Sequence, residues 1–192
     1  MDAPLVVVMG GPMGVYEADA HPFLNEELAL LGERLANDRA CVGVCLGAQL
    51  LAAAAGATVS PGKNGFEVGV GPVRWTQDAL KDPVVAGVKP RTAVAHWHGD
   101  TYTPVPGATL LASTDRYTQQ AFRLGRSYGF QFHLELTARE LGRWLELEEE
   151  DLVTRGKDVA ALRAQLPKLQ AAEAENTELL HRLAHQLAKG LR

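Results

Sequence analysis

The sequence predicts an α/β fold in which helices cover a mostly parallel sheet and a helical tail follows. Two apolar runs, Leu5 to Met9 and Ala40 to Val44, are each followed by a segment with helical apolar spacing, so the chain opens strand, helix, strand, helix. Short apolar runs bounded by glycine and proline then recur through the middle of the chain and supply further strands. The 192 residues have room for one ordinary domain, read as 1–145, and a helical tail over 146–192 that packs back on it.

Leu5 to Met9 is continuous apolar sequence halted by Gly10-Gly11-Pro12, which reads as a strand buried on both faces. From Pro22 the leucines at 24, 28, 31 and 35 recur at helical spacing until Asn37-Asp38 stops them. Strand Ala40 to Val44 is followed by an alanine-leucine helix, Gly47 to Ala55, closed by Gly56. A glycine-rich loop from Gly62 leads into a strand reaching Trp75, and Asp78 to Val88 reads as a short irregular helix broken by Pro83. Further strands are expected at Ala93 to Trp97, Ala108 to Ser113, Gln120 to Leu124 and Ser127 to Phe132, the last two joined at Gly125. Thr137 with Glu140 forms a capping box for a helix carrying Leu141, Trp144 and Leu145. The tail carries leucines at 162, 166 and 169 and again at 179, 183 and 187, interrupted by Pro167, and reads as two amphipathic helices packing back on the domain.

Composition narrows the function. Apolar residues make up 46% and charged residues 22% of the chain, the pattern of a globular protein. The formal charge is −4, from 19 basic and 23 acidic residues that are scattered rather than clustered, which argues against nucleic acid as a partner. No apolar run has membrane-spanning length and no secretory leader is recognisable, so a cytosolic address without membrane attachment is expected. Two cysteines cannot build a disulfide framework; reduced, they pose the question of which one reacts.

Cys45 is the candidate nucleophile. It stands between Gly43 and Gly47 where an apolar strand turns directly into a helix, the setting of a nucleophile elbow. A β-carbon at either glycine would crowd the strand or the helix. The sulfur would lie at the first turn of the following helix, where unpaired N–H groups favour a thiolate, and the Leu46 N–H would be placed to donate to an oxyanion. The alternative is a buried thiol at a strand end, the reading given to Cys41. A nucleophilic cysteine needs an imidazole and a group to orient it. On a strand through Gly129-Phe130-Gln131-Phe132-His133-Leu134-Glu135, the residues Gln131, His133 and Glu135 share one face, so Glu135 can steady the imidazole of His133. A hydrogen-bonded core histidine and a solvated glutamate are the alternatives there.

Together these residues resemble a class I glutamine amidotransferase domain, of the stand-alone branch similar to the amidotransferase half of GMP synthase. The resemblance rests on Gly10-Gly11-Pro12-Met13, Gly43-Val44-Cys45-Leu46-Gly47-Ala48-Gln49, His96-Trp97-His98-Gly99-Asp100 and the segment from Gly129 to Glu135, in that order. It implies a three-layer αβα, flavodoxin-like architecture, attack by Cys45 on the side-chain amide of glutamine, and proton shuttling by His133 under the control of Glu135. It further implies an oxyanion hole from the N–H groups of Gly11 and Leu46, with Gln49 and the His98-Gly99-Asp100 loop holding the substrate. The implied partners are glutamine or a γ-glutamyl small molecule, and an acceptor-synthetase subunit or a second copy of the chain. No cofactor is implied. Family members begin with a strand and helix ahead of the Gly-Gly-Pro strand, and here only four residues precede Leu5. A short start, or a partner that supplies the missing layer, is therefore expected, leaving an apolar sheet edge open.

Three other functions are consistent with parts of the sequence. One is hydrolysis of a γ-glutamyl bond in a related small molecule; another is a non-catalytic amidotransferase-like binding subunit. The third is a metal hydrolase, because His96-Trp97-His98-Gly99-Asp100 could supply zinc ligands. Thr101 stands where a further histidine would be wanted, and the same alternation suits a strand feeding a loop, so no metal is expected. A cysteine-elbow protease would place its base directly after the nucleophile, where Leu46 and Gly47 stand.

Overall fold

A computed structural model describes residues 3–189. In chain order its elements are β1 (Leu5–Val8), α1 (Phe23–Ala36), β2 (Ala40–Val44), α2 (Leu46–Ala54), β3 (Val59–Pro61) and β4 (Glu67–Trp75). After a short 3-10 turn at Ala79–Lys81 come β5 (Arg91–His98), β6 (Asp100–Tyr102), β7 (Thr109–Ser113), β8 (Ala121–Leu124) and β9 (Ser127–Phe130). Helices α3 (Ala138–Leu147), α4 (Glu149–Thr154), α5 (Val159–Arg163) and α6 (Leu166–Ala188) complete it.

Seven strands form one sheet in the order β1-β2-β9-β8-β7-β4-β5, while β3 and β6 pair separately. The expected mostly parallel sheet is in fact mixed: β1, β2 and β9 run parallel and every other pairing is antiparallel. Chain length between strands explains the difference. Only Gly125 and Arg126 separate β8 from β9, and two residues can close a hairpin but not a crossover.

Three layers result. The inner strand β2 is buried along its whole length. Cys41 joins a core with Leu24, Leu31, Leu50 and Leu51 under α1 and α2. Its neighbours Val42 and Val44 face the other way, into a core with Phe130 and with Leu179, Leu183 and Leu187 of α6. Helices α3 to α5 close a third cluster, built on Leu141, Leu145, Leu152 and Leu162, over β4 and β5. The capping box of Thr137 and Glu140 starts α3 as the sequence requires. Pro167, which interrupts the leucine pattern of the tail, sits in the first turn of α6, where its missing N–H is not needed.

Two sequence expectations change at the strand ends. β1 is an edge strand rather than one buried on both faces, with Val7 51% and Met9 48% exposed. Among the described residues no strand pairs with its outer side. An arginine compensates at its start: buried Arg34 of α1 donates to the carbonyls of Ala3 and Ala40 and so ties β1 to β2. At the other boundary, β9 stops at Phe130, short of the expected Phe132. Gln131 to Glu135 therefore lie beyond the strand, where an isolated bridge to Ala95 of β5 fixes His133.

Candidate active site

The C-terminal ends of β1, β2 and β9 meet at one place, where the chain leaves the sheet at Gly10, Cys45 and Gln131. Cys45 is the residue just before α2, with φ 53° and ψ −110°. A positive φ at a residue with a β-carbon stores about 1–3 kcal/mol and persists only where its surroundings hold it. Here its N–H donates to the Phe130 carbonyl at 2.8 Å, and the glycines on either side let helix and strand close in. A β-carbon on Gly43 would stand 2.3 Å from the Gly47 carbonyl oxygen. The turn thus exposes the sulfur at the first turn of α2, and its thiol donates to the Trp97 carbonyl at 3.7 Å.

His133 approaches from the far end of β9. Its backbone N–H donates to Ala95 at 2.9 Å, and its Nδ1 lies 2.6 Å from Glu135 Oε1. Trp144 of α3 packs edge-on against the imidazole with ring centroids 5.4 Å apart. The ring is therefore held on three sides. Burial alone would push the imidazole down, but hydrogen bonding with Cys45 and Glu135 outweighs it and holds the pKa at about 9. Nε2 is buried with its hydrogen-bonding capacity unused, on a ring that shares its surroundings with the Cys45 side chain. An imidazolium at neutral pH, beside a thiol and backed by a carboxylate, can give a proton and, once neutral, take one back at the same point in space.

The backbone completes the arrangement. A β-carbon on Gly10 would come within 3.3 Å of Cys45 Cβ and 3.5 Å of His133 Cε1, so the chain after β1 passes directly over both side chains. Gly11 comes next, beside Leu46: a β-carbon there would lie 3.0 Å from Leu46 Cδ2. Residues 1–148 match the family described as glutamine amidotransferase class-I. The chain belongs to that family.

Among curated relatives of this amidotransferase, a glutamine amidotransferase-like protein, YfeJ, of Salmonella typhimurium is 32% identical over 171 residues, 83% of this chain and 70% of YfeJ. A GMP synthase (glutamine-hydrolyzing) of Pyrobaculum aerophilum is 32% identical over 139 residues, 72% of this chain but 25% of the synthase. The chain thus spans about a quarter of that relative's length. A solved glutamine amidotransferase of Thermotoga maritima superposes with a TM-score of 0.86 at 35% identity, over 97% of this chain and 78% of that one. One from Methylobacillus flagellatus gives 0.83 at 28% identity over the whole of this chain and 78% of its own. No helix among the described residues is long and apolar enough to cross a membrane.

Of the residues singled out in the sequence, the structure gathers Cys45, Leu46, Gly11, His133 and Glu135 at the ends of the parallel strands. Of the others, Gln49 and His98 are buried and Gly99 and Asp100 half-buried. Gln49, on α2, donates its amide to Gln131 Oε1 at 3.0 Å. His98 lies between the Asp100 carbonyl and Glu67 Oε2, at 3.0 Å from each. Gly99 accepts from the Gly62 N–H at 2.8 Å, joining the two loops. Sequence reasoning missed Gly10, Trp97 and Glu67. The glycine doublet pointed to Gly10, since close backbone approach is one of the two uses of glycine; nothing in the sequence pairs Glu67 with His98, which face each other only through the register of β4 and β5. Glu67, His96 and His98 could together hold a metal ion.

Proposed function

We propose that this amidotransferase hydrolyses the side-chain amide of glutamine through a thioester on Cys45. The observation that carries the reading is the strained turn that presents Cys45 to His133, with Glu135 bonded to the opposite ring nitrogen. In its thiolate form Sγ attacks the amide carbon, forming a C–S bond and an oxyanion to which the N–H groups of Gly11 and Leu46 would donate. The imidazolium of His133 donates its Nε2 proton to the amide nitrogen, the C–N bond breaks and ammonia leaves. Neutral His133 then takes a proton from water; the resulting hydroxide attacks the thioester, and collapse of that intermediate breaks the C–S bond and releases glutamate with the thiolate restored. Glu135 keeps the ring oriented and its charge balanced throughout.

Glutamine is the substrate in this reading, held with help from Gln49 and the His98-Gly99-Asp100 loop. Ammonia passes to an acceptor carried by a synthetase subunit, as the likeness to glutamine-hydrolysing GMP synthases supports. The test is release of glutamate and ammonia from glutamine by the wild type and by Cys45→Ser, with an electrophilic glutamine analogue to trap the thiol. Turnover and trapping in the wild type alone are expected. Equal release by both proteins would overturn the mechanism.

A further inference from the structure

Trp97, whose carbonyl accepts from the Cys45 thiol, is flanked on β5 by His96 and His98, whose side chains turn to the opposite face of the strand. There they meet Glu67 of β4 and Gln120. His98 Nδ1 lies 3.0 Å from the Asp100 carbonyl oxygen, which can only accept, so Nδ1 carries the proton and the neutral ring presents a lone pair at Nε2. Glu67 Oε2 lies 3.0 Å from that nitrogen, and the Gln120 amide nitrogen, which already donates to Glu67, lies 3.4 Å from it. Two acceptors at this distance repel unless a cation lies between them. His96 adds a third: its Nδ1 is 3.9 Å from the same oxygen and its side chain is 4% exposed. His96 Nδ1 has no hydrogen-bond partner, and neither does Gln120 Oε1.

A proton on His98 would satisfy the first pair and leave His96 and Gln120 as they are. A metal ion would satisfy the group as a whole. We propose that Glu67 Oε2, His96 Nδ1 and His98 Nε2 bind one divalent transition-metal ion, zinc in the first instance. One ligand atom from each of the three residues lies within 4.8 Å of the others. Bonds of about 2.0–2.2 Å in a tetrahedral zinc site place neighbouring ligand atoms roughly 3.3–3.6 Å apart, between the 3.0 and 3.9 Å separations seen here to Glu67 Oε2. Two imidazoles and a carboxylate suit zinc rather than magnesium or calcium, which want oxygen alone. The outer contacts fit as well. His98 Nδ1–H is anchored on Asp100, His96 has the Gly71 backbone beside its ring as a hydrogen-bonding neighbour, and Gln120 donates to Glu67 Oε2 at 2.7 Å while its unpartnered carbonyl oxygen could serve as fourth ligand. The ion would pin the end of β5, and with it the Trp97 carbonyl beside the thiol, independently of what Cys45 reacts with.

The experiment uses untagged full-length protein, stripped by chelator, titrated with Zn2+ against a competing chelator and separately with Co2+ as a spectroscopic probe. One equivalent per chain, ligand-field absorption of the Co2+ form and a higher Tm on loading are expected. His96→Asn and Glu67→Gln, confirmed folded by circular dichroism, should weaken binding by more than the roughly 100-fold that loss of an outer partner costs. Cys45→Ser and Cys41→Ser should bind as the wild type does. Folded wild type that takes up no stoichiometric Zn2+ would show that a proton is the cation and overturn the proposal. So would binding that survives His96→Asn, or binding that disappears with either cysteine.

Discussion

A β-carbon on Gly47 would stand 2.0 Å from the carbonyl oxygen of Val8, so the last residue of β1 and the start of α2 touch through backbone alone. This contact sets how close the chain after β1 lies to the Cys45 turn. Gly47→Ala forces the two elements apart. A loss of about 1–3 kcal/mol is expected, the cost of overpacking a close contact, read as a lower midpoint in urea unfolding. An unchanged midpoint would mean that β1 does not pack there.

The two cysteines differ in access. Cys41 is fully buried beneath α1, with Arg34 Nε 3.3 Å from its sulfur, whereas Cys45 is partly exposed. Alkylation of the native protein should therefore modify Cys45 first, and fragmentation of the peptide carrying both residues reports which one is labelled. Faster labelling of Cys41 would contradict the packing of β2.

His133 gives a pH dependence of defined sign. Its pKa in the folded protein is raised from 6.5 to about 9, so its protonated form stabilises the native state. That contribution is fully present below the unfolded value of 6.5 and is lost as pH rises through about 9. Denaturation of the wild type and of His133→Gln should differ more at pH 6 than at pH 10. In Glu135→Gln the imidazole loses one of the partners that raise it, and its NMR titration should move to lower pH. A histidine that titrates alike in both proteins would remove Glu135 from the role proposed here.

Gly10 tests the fit above the site. A β-carbon there meets no backbone but lies 3.3 Å from Cys45 Cβ and in ordinary contact with His133, so Gly10→Ala should fold normally while displacing the Cys45 side chain by a few tenths of an ångström. Misplacement of reacting groups is costly, and a fall in kcat/KM of about 10- to 100-fold is expected for glutamine hydrolysis. Unchanged kinetics would place the substrate elsewhere.

The open edge of β1 has its own consequence. Apolar grooves lie on both sides of it, one lined by Leu5, Val7, Val44, Leu183 and Leu187 and the other by Met9, Met13, Phe23 and Leu30. A charge blunts such an edge, and Val7→Lys should raise the concentration at which light scattering first appears without lowering Tm.

Local chemistry was legible in the sequence. Gly43, Cys45 and Gly47 announce a strained strand-to-helix turn because only small neighbours permit it, and Thr137 with Glu140 announces a helix start because each side chain caps the other's backbone. The pairing of His133 with Glu135 was also reached, although by a strand that in fact ends at Phe130. What holds His133 in place is Ala95, on a strand at the opposite edge of the sheet, and a spacing of 38 residues carries no sign of it.

The short-range features, which residues turn, cap and alternate, are written in the order of the chain, because sterics and hydrogen bonds between near neighbours decide them. Tertiary structure alone decided that the sheet is mixed, that β1 lies at its edge, and that Glu67 meets His96 and His98. Those outcomes depend on which distant strands pair and in what register, and one register step would turn every side chain of a strand to the other face.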